Sequence, residues 1–391
     1  MEGGMNVNTE RVLILTLSFG SGHVRAARTV AHELKTQAPD TEVYVIDALE
    51  DCRRLFRAGY VWPYWAMIRY APALWDRFFT RRITRKIQHT APEWTFRWGC
   101  PAVFEAIAEF QPHTIVAVEV AACEMAAIAK REGLTNARII NVITDYEAEP
   151  AWVNREADIY VVGDERVRTQ LSYWGVSEEK IKLCGIPTDI HFRPRNDERT
   201  MRACYGIYDD LPIALIMGGG MGPTRMHRVV AHLVGTQEQM HVIVVTGHDR
   251  KARRRIARFC AEPKISLRLL GWTEDIAALM NAASVLVTKP GGITISEASL
   301  CRLPLVLFDA IPGPEQRNAE RLAEAGAGIV TKSPLETAQA VVSLLRDESA
   351  RRRISACAQR LARPNAAAEI VRLITSREDF AQPLVSRRMT A

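Results

Sequence analysis

The chain has 391 residues, 48% of them hydrophobic and 25% charged, which excludes a disordered or fibrous protein and, at about 150 residues per domain, predicts two or three domains. Its longest uncharged run, residues 211–224, is shorter than the about 20 apolar residues of a membrane-spanning helix, and the residues before Arg11 do not form a secretory signal. The net charge is +6, and eight cysteines without a CxxC pair predict reduced thiols in a cytoplasmic protein that lacks structural zinc.

In the first half of the chain, short β-rich runs alternate with helical patterns. Strands are predicted at residues 11–17, 42–47, 114–118, 138–143, 159–162 and 181–184, and a helix at 24–34. This βαβ rhythm is typical of a parallel sheet that helices cover on both faces. We therefore predict an N-terminal Rossmann-like domain over residues 1–190.

A basic and aromatic segment, residues 53–100, interrupts this rhythm and is called the insert below. It contains ten basic and two acidic residues, so it carries +8 while the rest of the chain sums to −2, and it holds twelve aromatic side chains. Such side chains settle at a membrane surface, but single-stranded nucleic acid or core packing would also use them. The side chains that we expect at an acceptor or membrane surface are Trp62, Trp65, Trp75, Arg81, Arg82 and Arg85.

The second half repeats the βαβ rhythm after a charged, proline-containing linker at residues 191–211. Strands are predicted at 213–217, 241–246, 266–270, 285–288 and 305–308, and helices begin near Arg225, Arg250, Thr273, Thr294 and Gln316. This predicts a second Rossmann-like domain over residues 212–365, followed by a helix and tail at 366–391 that packs back on the first domain. The fold class is α/β, with two doubly wound domains facing each other across a cleft that binds ligands at the carboxyl ends of strands.

Glycine loops follow several predicted strands, and the first contains Gly20, Gly22 and His23. Glycines let the backbone approach a ligand, and the N-terminus of the following helix offers unpaired N–H groups. His23 suits proton removal near neutral pH, although a partly exposed histidine in a first helical turn is an equally weighted interpretation. A second cluster, residues 218–222, favours a diphosphate cradle over a tight turn.

The densest motif covers residues 289–297, where Lys289, Gly291 and Gly292 end a strand and Glu297 lies on the next helix. Lys289 and the glycines suit a diphosphate, and Glu297 suits a ribose diol. Thr294 and Glu297 also have the spacing of a capping box, in which Glu297 would only cap the helix. A third loop offers polar groups for sugar hydroxyls, unless it is a plain αβ connection with a cap; its residues are Pro312, Gly313, Glu315, Gln316 and Asn318.

Together these motifs resemble the monogalactosyldiacylglycerol synthase and processive diacylglycerol glucosyltransferase family, and more distantly the glycosyltransferase that makes the peptidoglycan lipid intermediate. The likeness covers most of residues 11–328 and is strongest at 270–328. It implies a two-Rossmann-domain (GT-B) glycosyltransferase fold, a UDP-sugar held mainly by the C-terminal domain, and a lipid acceptor reached from the N-terminal domain. It also favours the membrane interpretation of the insert, with peripheral attachment to the inner face of the cell membrane and no nucleic-acid partner.

The resemblance implies donor-binding roles that follow the parts of the nucleotide sugar. The diphosphate would lie at Gly218, Gly219 and Gly220, and the base at Trp272 and Thr273. The ribose would bind to Glu297, and the transferred sugar to Glu315 and Gln316. On the acceptor side, His23 would take the acceptor proton, and Asp145 would lie opposite it.

The segment after Asp145 departs from the family pattern. The family commonly has a histidine shortly before a tryptophan, whereas this chain has Glu147 and Glu149 before Trp152. These carboxylates indicate a different hydroxyl or a charge-bearing acceptor head, or are solvated loop residues. Asp145 and Glu147 could be taken for a metal-binding carboxylate pair, but one short pair is weak evidence for a metal site. We therefore expect neither a metal nor a cofactor besides the donor.

These inferences predict an inverting glycosyltransferase that moves a hexose from a UDP-sugar to a hydroxyl of a membrane lipid, with diacylglycerol as the expected acceptor. His23, with Asp145, would deprotonate that hydroxyl, and backbone amides of the C-terminal domain would stabilise the leaving diphosphate. Two alternatives stay open. One is a UDP-sugar 2-epimerase of the same paired-domain fold, which has no use for the insert, and the other is a non-catalytic, membrane-bound UDP-sugar sensor.

Overall fold

The structure is a computed structural model and describes residues 9–84, 91–194, 198–218, 224–236, 238–260 and 266–376. Two six-stranded sheets follow one another along the chain, and all their strand pairs are parallel. The inner strands of both sheets are buried along nearly their whole length, as expected where helices cover both faces of a parallel sheet. The predicted α/β class with two doubly wound domains is confirmed.

The N-terminal sheet has the strand order β2-β1-β3-β4-β5-β6. Its strands are β1 (Arg11–Thr16), β2 (Glu42–Asp47), β3 (Thr114–Ala117), β4 (Arg138–Val142), β5 (Ile159–Val161) and β6 (Ile181–Lys182). The chain runs from β1 outward to the edge strand β2 and then crosses back to β3. The carboxyl ends of β1 and β3 therefore form a topological switch point, where doubly wound sheets bind ligands.

The C-terminal sheet has the order β12-β11-β10-β7-β8-β9. Its strands are β7 (Ile213–Met217), β8 (His241–Val245), β9 (Ser266–Leu270), β10 (Val285–Thr288), β11 (Leu305–Leu307) and β12 (Gly328–Val330). The switch point lies between β7 and β10, so the motif that begins at Lys289 follows a strand of this switch. Strand β12 was not predicted, because this short edge strand is only partly buried and lacks a long apolar run.

Helices connect the strands and, in the second half, close the chain back on the first domain. The first half contains α1 (Ser21–Gln37), α2 (Arg54–Phe56), α3 (Trp62–Tyr70), α4 (Pro72–Thr84), α5 (Glu93–Gly99), α6 (Pro101–Phe110), α7 (Val120–Arg131) and α8 (Glu165–Tyr173). The second half contains α9 (Glu198–Cys204), α10 (Met226–Val234), α11 (Arg250–Ala257), α12 (Ile276–Ala282), α13 (Gly292–Leu300), α14 (Pro314–Glu324), α15 (Pro334–Arg346), α16 (Glu348–Leu361) and α17 (Ala366–Thr375).

Helix α17 lies against α1 of the N-terminal domain. The guanidinium of Arg138 donates hydrogen bonds to the carbonyl oxygens of Leu373 and Ile374, at 2.6 and 2.7 Å, and so holds the end of this helix. The chain thus returns to its first domain after completing the second. Residues 377–391 of the predicted tail lie outside the described residues, and so do 195–197 of the predicted linker.

The insert is mostly helical in the residues that the structure describes. Helix α2, a π-helical turn at Arg57–Val61 and α3 follow one another without a break, and α4 begins at Pro72, where a fixed φ suits a first helical turn. Residues 85–90 lie outside the described residues. In the ranges that the structure covers, no helix combines the length and the apolar character needed to cross a membrane.

Candidate active site

A cavity of about 450 Å³ lies between the two domains. Its walls come from the loops after β1, β3 and β4 of the N-terminal sheet, from the loops after β10 and β11 of the C-terminal sheet, and from the insert. Both switch points therefore contribute to one pocket. Aromatic and apolar side chains of the insert form a large share of its lining: Tyr60, Pro63, Tyr64, Trp65, Met67, Trp75, Phe78 and Phe79.

Four helices begin at this cavity, and they differ in how their N-termini are capped. Helices α1 and α13 begin after Gly20 and Gly291, and neither has a side-chain cap or an acidic residue in its first turn. Helix α7 is capped by Glu119, and α14 carries Glu315 in its first turn. The open N-termini of α1 and α13 suit an anionic ligand, because their N–H groups and dipoles are not neutralised by a carboxylate.

His23 lies in the first turn of α1 and lines the cavity. Its Nδ1 is 3.1 Å from the carbonyl oxygen of Val118 and 2.9 Å from the hydroxyl of Thr144. A carbonyl oxygen only accepts, so Nδ1 carries the proton and Nε2 keeps the lone pair of the neutral ring. Burial lowers the pKa of His23, and the nearby Asp145 partly opposes this shift. The imidazole is thus held in a form that can accept a proton at Nε2.

Asp145 follows β4 and faces the same cavity. Burial raises the pKa of Asp145, while a hydrogen bond from Asn318 and the proximity of His23 oppose the shift. The amide of Asn318 donates to Asp145 Oδ1 at 3.0 Å and to the carbonyl of Pro290 at 3.1 Å, and it accepts from the Tyr146 N–H at 2.9 Å. Asn318 is fully buried, so it joins the two domains beside Asp145 and does not line the cavity.

Three further carboxylates line the N-terminal side of the cavity. Glu147 forms an ion pair with Arg166 at 3.0 Å, and Arg317 lies 3.9 Å away from it. Glu119 accepts from the N–H groups of Ala121 and Ala122. Burial raises the pKa of Glu119 to about 7, and the nearby Glu149 contributes in the same direction. Glu147 and Glu149 thus line a pocket wall, which does not support the interpretation of both as solvated loop residues.

On the C-terminal side of the cavity, Lys289 directly follows β10 and Glu315 lies in the first turn of α14. Lys289 Nζ is 4.0 Å from Glu315 Oε1, and Glu315 Oε2 accepts from the Ile311 N–H at 2.8 Å. Burial raises the pKa of Glu315, and Lys289 opposes that shift. Gly292 allows the two domains to meet here, because a Cβ on it would lie 2.0 Å from the carbonyl oxygen of Thr144. With Gly291 and Thr294, these residues form the C-terminal wall of the cavity.

Glu297 does not act in a capping box. Helix α13 begins at Gly292, so Thr294 lies inside its first turn and is not the N-cap. The carboxylate of Glu297 instead forms an ion pair with Arg25 of α1, on the other domain. Glu297 is 2% exposed, and its Oε2 has no hydrogen-bond partner in the part of the chain that the structure describes.

Three of the residues predicted at the base and diphosphate do not line the cavity: Trp272, Thr273 and Gly218. Trp272 is half exposed and stacks on His248 at a centroid distance of 4.7 Å, at the carboxyl ends of β8 and β9. Thr273 accepts a hydrogen bond from the Asp275 N–H and shapes the turn before α12. The N–H of Gly218 is 3.5 Å from the carbonyl oxygen of Val245, and Gly219 and Gly220 lie outside the described residues.

The loop after β11 divides its predicted residues between two environments. Glu315 enters the cavity, whereas the amide of Gln316 is exposed and donates to Glu320 at 3.2 Å. Pro312 and Gly313 contact the insert: the Trp75 indole N–H donates to the carbonyl of Pro312 at 2.9 Å, and Phe79 packs on Gly313. Gly313 has φ +90°, which L side chains rarely adopt.

The insert residues predicted at an acceptor or membrane surface also lie in different environments. Trp62 is 72% exposed, and Arg81 is exposed as well. Trp65 lines the cavity, and its buried indole N–H has no hydrogen-bond partner among the residues described. Trp75 is only 7% exposed, so it does not face a membrane; its bond to Pro312 makes it a contact between the domains. The side chain of Arg82, and Arg85 as a whole, lie outside the described residues.

Sequence reasoning missed three residues of the site: Arg25, Tyr64 and Glu119. Glu119 had a readable signal, because it directly follows a strand at the switch point. Arg25 and Tyr64 had no such signal in the sequence. The role of Arg25 depends on a contact with the other domain, and that of Tyr64 on carboxylates distant in the chain. Burial raises the pKa of Tyr64, and Glu315 and Asp145 contribute to the same shift.

Two family models divide the chain between them. Residues 23–188 match monogalactosyldiacylglycerol (MGDG) synthase, and residues 179–361 match glycosyl transferases group 1. Among curated relatives, the processive diacylglycerol beta-glucosyltransferase of Bacillus subtilis (strain 168) is 28% identical over 88% of this chain and 89% of its own length.

Solved structures share the fold over nearly the whole chain. Anabaena Alr3699/HepE in complex with UDP-glucose has a TM-score of 0.56 at 18% identity and covers 93% of this chain and 98% of its own. A putative UDP-N-acetylglucosamine 2-epimerase from Listeria monocytogenes has a TM-score of 0.66 at 14% identity, with 96% and 98% covered. At these identities the likeness shows the paired Rossmann-like fold and does not separate the two activities.

The family models make that separation, because neither of them describes an epimerase. Between them they span residues 23–361, which include His23, Asp145 and the C-terminal wall of the cavity. Over most of its length the chain is thus similar to glycosyltransferases, with its first half resembling monogalactosyldiacylglycerol synthases and its second half the group 1 glycosyl transferases.

Proposed function

We propose that the protein transfers a hexose from a UDP-sugar to a hydroxyl of a membrane lipid, with diacylglycerol as the acceptor and inversion at the anomeric carbon. The observation that carries this proposal is the single cavity between the domains. It has His23 and Asp145 on one wall, Lys289 and the open N-terminus of α13 on the other, and aromatic residues of the insert at its side.

The acceptor hydroxyl loses its proton to His23. Nδ1 already donates to Val118, so Nε2 is the atom that takes the proton, and Asp145 stabilises the imidazolium that forms. The acceptor oxygen then forms a bond to the anomeric carbon of the sugar, while the bond from that carbon to the diphosphate oxygen breaks. UDP leaves with the bonding electron pair, on the face opposite the incoming oxygen.

The leaving diphosphate is stabilised on the C-terminal side of the cavity. Lys289 carries positive charge there, and α13 presents N–H groups that no side chain caps. Preorganised donors of this kind are an effective way to stabilise developing negative charge. We propose that these groups act without a metal ion; this independence is a prediction that activity assays with chelator would test.

The lipid acceptor reaches His23 along the insert. Phe19 packs edge-to-face on Tyr60 and Tyr64, at centroid distances of 5.6 and 5.5 Å, and these rings join the His23 loop to the insert. Acyl chains would lie on such rings, and an ester carbonyl or hydroxyl of the acceptor would satisfy the Trp65 indole N–H. An apolar entrance beside a polar catalytic end fits a lipid with a hydroxyl head group.

We also place the protein at the inner face of the cell membrane, with the insert as the membrane-binding surface. The insert exposes large apolar side chains beside exposed arginines such as Arg77 and Arg81. Its exposed large apolar residues, among those that the structure describes, are Leu55, Trp62, Tyr70, Leu74, Phe78, Trp94 and Trp98. Arginines near anionic lipid contribute about 1 kcal/mol each, so a few of them would support reversible attachment.

One experiment tests the proposed reaction against its two alternatives. Purified protein is incubated with UDP-glucose or UDP-galactose, with and without diacylglycerol-containing vesicles, and lipids and nucleotides are analysed by mass spectrometry and chromatography. We expect hexosyl-diacylglycerol and one UDP for each sugar transferred, only when lipid is present. An epimerised UDP-sugar formed without lipid would instead identify an epimerase. Nucleotide binding with neither product would identify a sensor.

A further inference from the structure

Helix α4 has two faces with different partners. Trp75 and Phe79, one helical turn apart, are buried, whereas Leu74 and Phe78 are exposed. Arg77 is exposed as well, and at 100° per residue it lies beside these two apolar side chains on the outer face. One rigid helix therefore presents a basic and apolar face to solvent and an aromatic face to the C-terminal domain.

The inner face of α4 holds three successive residues of the loop after β11. Ile311 packs in the apolar cluster of Trp75 and Phe79. The Pro312 carbonyl accepts the Trp75 indole N–H at 2.9 Å. Gly313 lies against the Phe79 ring so closely that a Cβ on it would be 3.0 Å from a ring carbon. The backbone of the loop is thus fixed by side chains of the other domain.

This loop in turn places Glu315. The Ile311 N–H donates to Glu315 Oε2 at 2.8 Å, and Gly313 is the N-cap of α14, the helix whose first turn carries Glu315. Any shift of the loop relative to α4 therefore moves a carboxylate on the donor-side wall of the cavity. Trp75 itself contacts neither Glu315 nor Lys289 through any hydrogen bond seen in the described residues.

We propose that Trp75 is a positioning residue, and that α4 couples contact between the insert and a lipid surface to binding of the donor sugar at Glu315. This inference rests on the proposed function, since it takes the insert as the lipid-binding surface and Glu315 as a sugar ligand. When lipid holds the outer face of α4, its inner face holds the loop in the arrangement that binds the sugar. The nucleotide is bound by other loops and is not affected.

The test measures binding of UDP-glucose and of UDP, each with and without phosphatidylglycerol vesicles that lack diacylglycerol. The variants are Trp75→Phe, which removes the indole N–H and the five-membered ring that carries it, and Phe79→Leu, which removes the ring over Gly313. The matched control is Tyr208→Phe, because Tyr208 is 85% exposed and lies outside both the insert and the cavity lining. Melting curves establish that each variant is folded.

For the wild type and Tyr208→Phe, we expect vesicles to tighten UDP-glucose binding and leave UDP binding unchanged. Trp75→Phe should bind UDP-glucose about threefold to tenfold more weakly with vesicles present, as for one lost hydrogen bond, and should show no vesicle effect. Its UDP affinity should equal that of the wild type. A Trp75→Phe variant with wild-type UDP-glucose affinity and vesicle response would overturn the coupling, even if the wild type glycosylates lipid. A wild type that makes no glycolipid would overturn the proposed reaction and leave these binding data interpretable.

Discussion

The guanidinium of Arg25 and the carboxylate of Glu297 form an ion pair that joins α1 of the N-terminal domain to α13 of the C-terminal domain. Burial lowers the pKa of Arg25 to about 10, and the Phe192 ring lies 5.7 Å from its guanidinium carbon. Arg25 uses one oxygen of Glu297, and the other oxygen, Oε2, is buried without a protein partner in the described ranges. Glu297 therefore joins the two domains through one oxygen, while the ribose role predicted from the sequence depends on the other.

The first prediction separates these two roles of Glu297. Glu297→Gln should weaken UDP binding about tenfold or more, because a hydrogen bond to a carboxylate contributes about 1.5–3 kcal/mol. Arg25→Met should lower the free energy of unfolding by about 1–3 kcal/mol, because it leaves a buried carboxylate unpaired, and should change UDP affinity much less. Calorimetry of UDP binding and urea unfolding of each variant provide the two measurements.

The double variant Arg25→Met with Glu297→Gln is the control for this pair. It contains no unpaired buried charge, so its loss of unfolding free energy should be smaller than the sum of the losses in the two single variants. Its UDP affinity should stay as low as that of Glu297→Gln. If Glu297→Gln lowers only the stability and leaves UDP affinity unchanged, Glu297 is a contact between the domains and not a ribose ligand.

The second prediction concerns His23 as the base. His23→Ala should lower lipid glycosylation about 10²- to 10⁴-fold and leave UDP affinity nearly intact, because His23 belongs to the N-terminal wall of the cavity. Burial lowers the pKa of His23 from 6.5, so the wild-type rate should rise through a pKa below 6.5 and be flat between pH 7 and 8. Steady-state rates between pH 5 and 8.5 check both statements.

Thr144→Val is the companion variant for His23. It removes one oxygen near Nδ1 and keeps the Val118 carbonyl, so the tautomer should be preserved and the loss should stay below about tenfold. Turnover of His23→Ala within a few-fold of the wild type would assign proton removal to Asp145, or to Glu147 or Glu149.

The third prediction is a pH dependence of stability at Glu119. Burial raises the pKa of this carboxyl from 4.5 to about 7. Between these values the native state keeps the proton and the unfolded chain has lost it, so the contribution of Glu119 to stability falls as pH rises through this window. Glu119→Gln removes the titration and keeps an oxygen that accepts from the N–H groups of Ala121 and Ala122.

Glu119→Gln should therefore be more stable than the wild type at pH 8, by about 1–3 kcal/mol, and close to it at pH 4.5. Urea unfolding at the two pH values measures this difference. Glu105→Gln, at an exposed position of α6, is the matched control. An equal stability difference at both pH values would show that Glu119 does not titrate in this window.

Periodicity predicted almost every strand and the two-domain fold, because buried parallel strands such as β1 and β7 are continuous apolar runs. The glycine loops predicted where the cavity lies, since the carboxyl ends of neighbouring strands meet there. Neither periodicity nor the glycine loops could predict the contacts between the domains. Trp75 is one of several similar tryptophans in the insert, and only the position of the Pro312 carbonyl distinguishes it. Likewise, the amide of Asn318 fits a sugar or a protein partner equally well until Asp145 and Tyr146 are placed beside it.

The fourth prediction locates the membrane-binding surface on the insert. The protein should sediment with phosphatidylglycerol vesicles at low salt, and Arg77→Glu with Arg81→Glu should lower vesicle affinity at least tenfold, since each arginine near anionic lipid contributes about 1 kcal/mol. Both residues are exposed and lie one turn apart on α4. Lipid glycosylation should fall with vesicle binding, while UDP affinity stays constant because the nucleotide loops belong to the other domain.

The control for this variant must change the net charge equally at another place. Arg254→Glu with Arg258→Glu does so at two exposed positions, also four residues apart, in and directly after α11 of the C-terminal domain. This control should pellet like the wild type if the insert is the binding surface. At 1 M salt, where the Debye length is about 3 Å, wild-type binding should weaken but persist, because Leu74 and Phe78 still bury apolar surface in the lipid. If the α4 and α11 variants lose affinity equally, attachment depends on net charge alone. If the wild type stays in the supernatant at low salt, the exposed face of α4 does not bind lipid.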